Sequence, residues 1–142
     1  MTNNTVSVQT TWITKMQFDA TGTASQETVR MDAPVESGGK GEGIRPMETL
    51  LSAVAGCSGM DVISILNKMR QEVTGLSIVV SGERAAQYPR AFERITVEYL
   101  FRGRDLSEAA VARAIALSVE KYCGVLASLR AEITTSYRLE TD

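Results

Sequence analysis

An α+β fold is the prediction for this 142-residue chain, and three observations carry it. One apolar pattern with the helical period runs unbroken over residues 46–70. Alternating, strand-like segments lie on both sides of it. The elements follow in the order βββ-α-ββ-α-β, which points to antiparallel sheets packed on helices.

Each element has its own signal. Val6-Ser7-Val8-Gln9-Thr10 alternates, Met16-Gln17-Phe18 precedes a turn around Gly22, and residues 28–32 alternate again before Pro34. Together they predict a three-stranded antiparallel meander. Residues 38–43, Gly-Gly-Lys-Gly-Glu-Gly, lack a feeding strand and the Walker spacing, so they read as a flexible surface loop able to lie over a site. The long helix then opens at Pro46, whose missing N–H costs nothing in a first turn. Glu48 follows, where a negative charge suits the helix dipole. Charge is scarce up to Asp61, which predicts deep burial of the first half. At 1.5 Å per residue such a helix is roughly 36 Å long. Gly75 is the expected stop. Residues 76–82 and 94–100 read as two long strands, with a loop around Pro89 between them. Ser107 and Glu108 open a second helix carried through Tyr122 by Ala110, Val111, Ala114, Ile115, Leu117 and Ser118. Residues 132–139 form a last strand. Neither a repeat nor a linker interrupts the chain, so residues 1–142 read as a single domain.

Composition narrows the function. Hydrophobic content of 44% with 23% charged residues suits a soluble globular protein. A net charge of −2 without a basic run gives no reason to expect nucleic acid as a partner. The nearly uncharged stretch 49–60 is too short to span a bilayer, so no membrane partner is expected. The N-terminus lacks the basic start and apolar run of a secretory signal. A cytoplasmic location is therefore expected, where thiols stay reduced. The chain has no histidine, which removes the commonest general base and most zinc sites. No metal and no cofactor are expected.

Two cysteines remain as the chemistry-bearing residues. Placed at 100° per residue with Cys57 at zero, Asp61, Ser64 and Lys68 share its face. Leu51, Val62, Ile65, Leu66 and Met69 cluster about 80–180° away. Cys57 thus sits between an apolar stripe and a sparse polar seam, where a partner can ionise a thiol. The plainer reading is a thiol that only fills space. Cys123 lies at or just past the end of the second helix, where the dipole disfavours a thiolate and Lys121 offsets this only partly. Cys57 is therefore the more reactive thiol and Cys123 the candidate resolving partner. Spacing alone does not separate a redox pair from two unrelated thiols.

At these residues the chain resembles the OsmC/Ohr family, the osmotically inducible and organic-hydroperoxide-resistance proteins, over nearly its whole length. The motifs are Pro46-Met47-Glu48 with Ala53-Val54-Ala55-Gly56-Cys57, Met60-Asp61-Val62, Ile65-Leu66-Asn67-Lys68, Gly103-Arg104-Asp105-Leu106, and Ser118-Val119-Glu120-Lys121-Tyr122-Cys123. The match is closest to the YhfA-type branch. The resemblance implies an OsmC-like fold, in which antiparallel sheets wrap long central helices of an intertwined homodimer and sites form at the subunit interface. It also implies thiol-dependent reduction of organic hydroperoxides, with Cys57 peroxidatic, Cys123 resolving and an external dithiol as reductant.

The family's peroxidases ionise the thiol with an arginine held by a glutamate directly after the helix-opening proline. Here Met47 follows Pro46 and Glu48 comes one place later, a step of about 100° that puts it near 180° from Cys57. The matching N-terminal strand reads Thr14-Lys15-Met16-Gln17-Phe18, so Lys15 is the nearest cation and Arg45 the alternative. Lysine lacks the bidentate fork of arginine, which implies turnover that is slow at neutral pH and rises with pH. Asp61 opposes ionisation unless neutralised and reads as a buried structural carboxylate, bonded to backbone or to the partner chain. Two readings stay open. One is a thiol peroxidase; the other is a weakly active or non-catalytic relative that binds a small ligand or senses thiol oxidation at the dimer interface.

Overall fold

A computed structural model describes residues 4–142 and resolves two compact units, Met1–Leu50 and Leu51–Asp142, which divide within the long helix. In the first unit β1 (Val8–Thr14), β2 (Gln17–Gly22) and β3 (Thr28–Met31) form the antiparallel meander that the alternation predicts. Trp12, Phe18 and Met31 stand in one cross-strand row, and Ala20 and Val29 in the next on the same face. That face is apolar, yet Val8, Trp12, Phe18 and Val29 are all exposed.

The glycine-rich loop is tied down, contrary to its expected flexibility. After a short 3-10 turn (Val35–Ser37) the chain wraps round the buried Asp32 side chain. Its oxygens accept the backbone N–H groups of Ala33 at 2.7 Å, Lys40 at 3.3 Å and Glu42 at 3.1 Å, and Gln17 Nε2 at 3.2 Å. Gly39 is buried here, and a Cβ would run into the Ala33 carbonyl and the Asp32 carboxylate. Burial of Asp32 favours its neutral form, but the donors from Glu42, Gln17, Ala33 and Lys40 outweigh it and hold the carboxyl at about 2. The ionised form therefore stabilises the loop at all pH above the ordinary carboxylate value, and this is lost as pH falls through about 2. Asp32→Asn is expected to accelerate amide exchange at Lys40 and Glu42 at neutral pH. Unchanged protection there would remove the anchor.

The long helix α1 spans Pro46–Lys68. Arg45 caps it: Glu48 Oε1 accepts the Arg45 N–H at 2.9 Å, the reciprocal half of a capping box. Its end differs from expectation. Arg70, at φ 57, takes the left-handed position while Gln71 N–H donates to the Leu66 carbonyl and Arg70 N–H to that of Asn67. This pair is the Schellman pattern, closed by arginine in place of glycine. Gly75 instead lies inside β4 (Glu72–Arg84), next to a bulge opposite β5 (Phe92–Arg104).

In the second unit β4, β5 and β6 (Glu132–Thr141) form one sheet with β5 central. β6 runs parallel to β5, so this sheet is mixed and not wholly antiparallel as expected. A crossover through helices returns the chain to the starting edge direction, which a hairpin cannot do. On the inner face of β5, Ile95, Val97, Tyr99 and Phe101 are buried together with Val54, Val62 and Leu66 of α1. Val111, Ala114 and Ile115 of α2 (Glu108–Leu117) complete that core. Ser107 caps α2 as expected, its Oγ accepting from Ala110 N–H at 3.2 Å.

Burial of α1 is shallower than its sequence suggests. Only Val54, Ser58, Val62 and Leu66 are buried, and Ser52, Gly56, Met60 and Ser64 form an exposed row at four-residue spacing. By length and composition the whole helix could also cross a membrane, although the 49–60 stretch alone is too short. Here its buried side is part of a mixed sheet-and-helix core.

Candidate active site

The second predicted helix does not run regularly to Tyr122. After Leu117 it widens into a π turn, Ser118–Tyr122, closed by Cys123 N–H donating to the Ser118 carbonyl at 2.8 Å. A short helix α3 (Gly124–Ala127) starts immediately afterwards. Cys123 thus stands just past the end of the second helix, as its sequence position suggested, and it also opens the next one. It is the N-cap of α3, and its Sγ accepts Leu126 N–H at 3.4 Å. A π turn inserts one extra residue into a helix and re-aims the residues beyond it. Here the turn lets both Ser118 and Cys123 reach the same aspartate.

That aspartate is Asp61, one turn beyond Cys57 on α1. The two thiol sulfurs and a carboxylate oxygen of Asp61 all lie within 4.8 Å of one another. Cys57 and Cys123 are both free thiols, the first half-buried and the second buried. The border position expected for Cys57 matches its partial exposure. Burial pushes the Cys123 thiol above its ordinary value; the Leu126 N–H works against this, and the Cys57 thiol beside it adds to the rise. At neutral pH Cys123 is therefore a protonated, sheltered thiol.

Asp61 is half-buried, where the sequence suggested a buried carboxylate, and it accepts a side-chain hydrogen bond from its own chain. Ser118 Oγ donates to its Oδ2 at 3.1 Å. Ser58 Oγ lies 2.9 Å from Ser118 Oγ and 2.5 Å from Tyr99 OH. Each hydroxyl has one proton, so the direction of the chain is fixed. With the Ser118 proton committed to Asp61, Ser58 donates to Ser118 and Tyr99 donates to Ser58. Burial raises the Tyr99 hydroxyl, Ser58 lowers it, and the nearby Cys123 and Asp61 groups raise it further, so Tyr99 stays a donor. A buried chain satisfied at every step is rigid, and it holds one oxygen of Asp61 in a set orientation beside the sulfurs.

The sequence showed Asp61 on the Cys57 face but not the serines and tyrosine behind it. Ser58, Ser118 and Tyr99 occupy core positions of α1, the π turn and β5, and a polar residue at a core position is the signal that could have found them. The other expected site residues belong to the first unit. Lys15 lies in the turn between β1 and β2, at φ 46, where its carbonyl accepts Trp12 Nε1 at 2.8 Å, not within a strand as expected. Arg45 precedes α1, and its Nη1 donates to the Gly43 carbonyl at 3.0 Å. Glu48 bonds the Arg45 backbone.

Comparison with known proteins matches this arrangement to a family. The sequence pattern of the OsmC-like proteins fits residues 39–138, which hold both cysteines and Asp61. Protein YhfA of Escherichia coli strain K12 is 44% identical over 95 residues, 67% of this chain and 71% of that protein. A hypothetical protein from Aquifex aeolicus VF5 has the same fold at 29% identity, with a TM-score of 0.85 and 99% of both chains covered. A protein of Legionella pneumophila described as an organic hydroperoxide resistance protein OsmC is only 14% identical, and its TM-score of 0.66 over 99% of both chains speaks for the fold alone.

Proposed function

Because the chain belongs to the OsmC-like protein family, we propose that it is a thiol-dependent peroxidase that reduces organic hydroperoxides through Cys57 and Cys123. The observation that carries this reading is the pair of free thiols side by side, one half-buried and one buried. Cys57 as thiolate attacks the distal oxygen of the hydroperoxide. The O–O bond breaks, the alkoxide takes a proton to leave as an alcohol, and Cys57 becomes a sulfenic acid. The Cys123 sulfur then attacks the Cys57 sulfur; the S–S bond forms, the S–O bond breaks, and the hydroxyl leaves with the thiol proton as water. An external dithiol reduces the disulfide and is itself oxidised. Asp61 is within reach of both sulfurs and is suited to carry the Cys123 proton to the departing hydroxyl.

Cation supply to Cys57 is assigned to Lys15 or Arg45, with Glu48 as the carboxylate near the helix start. In this reading the chain works as one domain, since the family pattern runs across the boundary between the two units. It acts in the cytoplasm, where reductants keep both thiols free, as a homodimer. The exposed apolar face of the β1-β2-β3 sheet, with Met60 exposed on α1, supports that assembly, since apolar surface of this kind marks an interface.

The test is consumption of an organic hydroperoxide in the presence of a dithiol. One alcohol is expected per dithiol oxidised, at a rate well above that of the dithiol alone. A rate equal to the dithiol alone would remove the peroxidase. If the Cys57–Cys123 bond still formed in that case, the protein would be a sensor of thiol oxidation instead.

A further inference from the structure

We propose that Cys57, Cys123 and Asp61 also bind a thiophilic divalent cation, zinc, in a three-ligand site with an open fourth position. Their donor atoms all lie within 4.8 Å of one another. In tetrahedral zinc, with Zn–S about 2.3 Å and Zn–O about 2.0–2.2 Å, neighbouring donors stand about 3.5–3.8 Å apart. Gathering the three around an ion therefore takes about 1 Å of closure. Two sulfurs select zinc and other soft ions over magnesium and calcium, which require shells of oxygen.

A second observation sets this cluster apart from a chance meeting of three side chains. Metal-binding carboxylates are themselves hydrogen-bonded by a supporting shell. Asp61 has that shell: Ser118 donates to its Oδ2, and Ser58 and Tyr99 stand in line behind. Ser58 and Ser118 are fully buried, so the support does not fray into solvent. Cys57 and Asp61 are both partly exposed and give the ion a way in, while Cys123 closes the inner side.

Protons and charge balance on binding. One Zn²⁺ replaces the protons of two thiols, which leave as two H⁺ to buffer, and the thiolates and the Asp61 carboxylate give the bound site one net negative charge. The ion and the disulfide exclude one another, because each uses both sulfurs. Zinc would thus hold the pair reduced and closed to peroxide until a chelator removes it.

The reduced full-length protein should be titrated with Zn²⁺ against a chromophoric chelator, with no peroxide present, and with Co²⁺ for its absorption. One ion per chain is expected, with intense thiolate-to-cobalt absorption and the visible bands of a tetrahedral site. Cys57→Ser and Cys123→Ser should each abolish competition with the chelator, Asp61→Asn should weaken it at least about tenfold, and Ser118→Ala about 10–100-fold. Circular dichroism identifies any variant that fails to fold. In folded variants, an affinity unchanged by Asp61→Asn, or less than one ion per chain in the wild type, would overturn the site. Since no peroxide is used, failure here leaves the peroxidase reading standing, and a protein without turnover can still bind the ion.

Discussion

Cys57→Ser is expected to reduce hydroperoxide consumption to the level of the dithiol alone, whereas Cys123→Ser should keep the first event and lose the cycle. The asymmetry follows from exposure. Cys57 is half-buried and can meet a peroxide, while Cys123 is 3% exposed and its thiol is pushed up by burial. Without Cys57 the remaining thiol, Cys123, is too buried to meet a peroxide. Without Cys123 the Cys57 sulfenic acid forms once and has no thiol beside it. Excess peroxide then carries it to the sulfinic acid, which dithiols do not reduce. Intact mass after peroxide should therefore show two added oxygens in Cys123→Ser and the loss of two hydrogens in the wild type. Undiminished turnover by Cys123→Ser would mean that the external dithiol attacks the sulfenic acid directly, and Cys123 would lose its resolving role.

What the sequence made legible was local. The helical period of 46–70 and the serine cap at Ser107 depend on near neighbours, and both appear in place. The end of α1 did not follow, because Arg70 accepts a left-handed conformation that glycine takes more cheaply, and Gly75 was free to serve a bulge. Alternation marked 132–139 as a strand but holds no information on direction, so the parallel pairing of β6 with β5 was hidden. The site divides in the same way. Helical angles put Asp61 beside Cys57, because both are on α1. The approach of Cys123 depends on a π turn, which the ordinary 3.6-residue period of its helix disguised. Ser58 and Ser118 fit an apolar stripe by size, so nothing local announced that they relay hydrogen bonds from Tyr99 to Asp61. Asp32 likewise orders a loop that glycine content alone marks as loose.

Gly56→Leu is expected to dissociate the proposed homodimer, and its sign makes the test sharp. Within one chain a Cβ at position 56 meets nothing within 4 Å. An isolated chain should therefore gain from the substitution, since glycine in a helix interior costs about 0.8–1 kcal/mol relative to alanine and leucine ranks just below alanine. In a dimer the expectation reverses. Gly56 lies in the exposed row with Ser52, Met60 and Ser64, and Met60 is 76% exposed. Small residues at four-residue spacing let two helices approach closely, and a leucine side chain would hold them apart. Loss of contact along this row would also uncover the apolar face carrying Val8, Trp12, Phe18 and Val29 if the partner covers both. Burial of apolar surface is worth about 25 cal/mol per Å², so an interface of ordinary size outweighs the propensity gain several-fold. Light scattering at micromolar concentration should give a dimer for the wild type and a monomer, or an aggregate, for Gly56→Leu. A wild-type monomer that Gly56→Leu makes more heat-resistant would show that α1 has no partner helix.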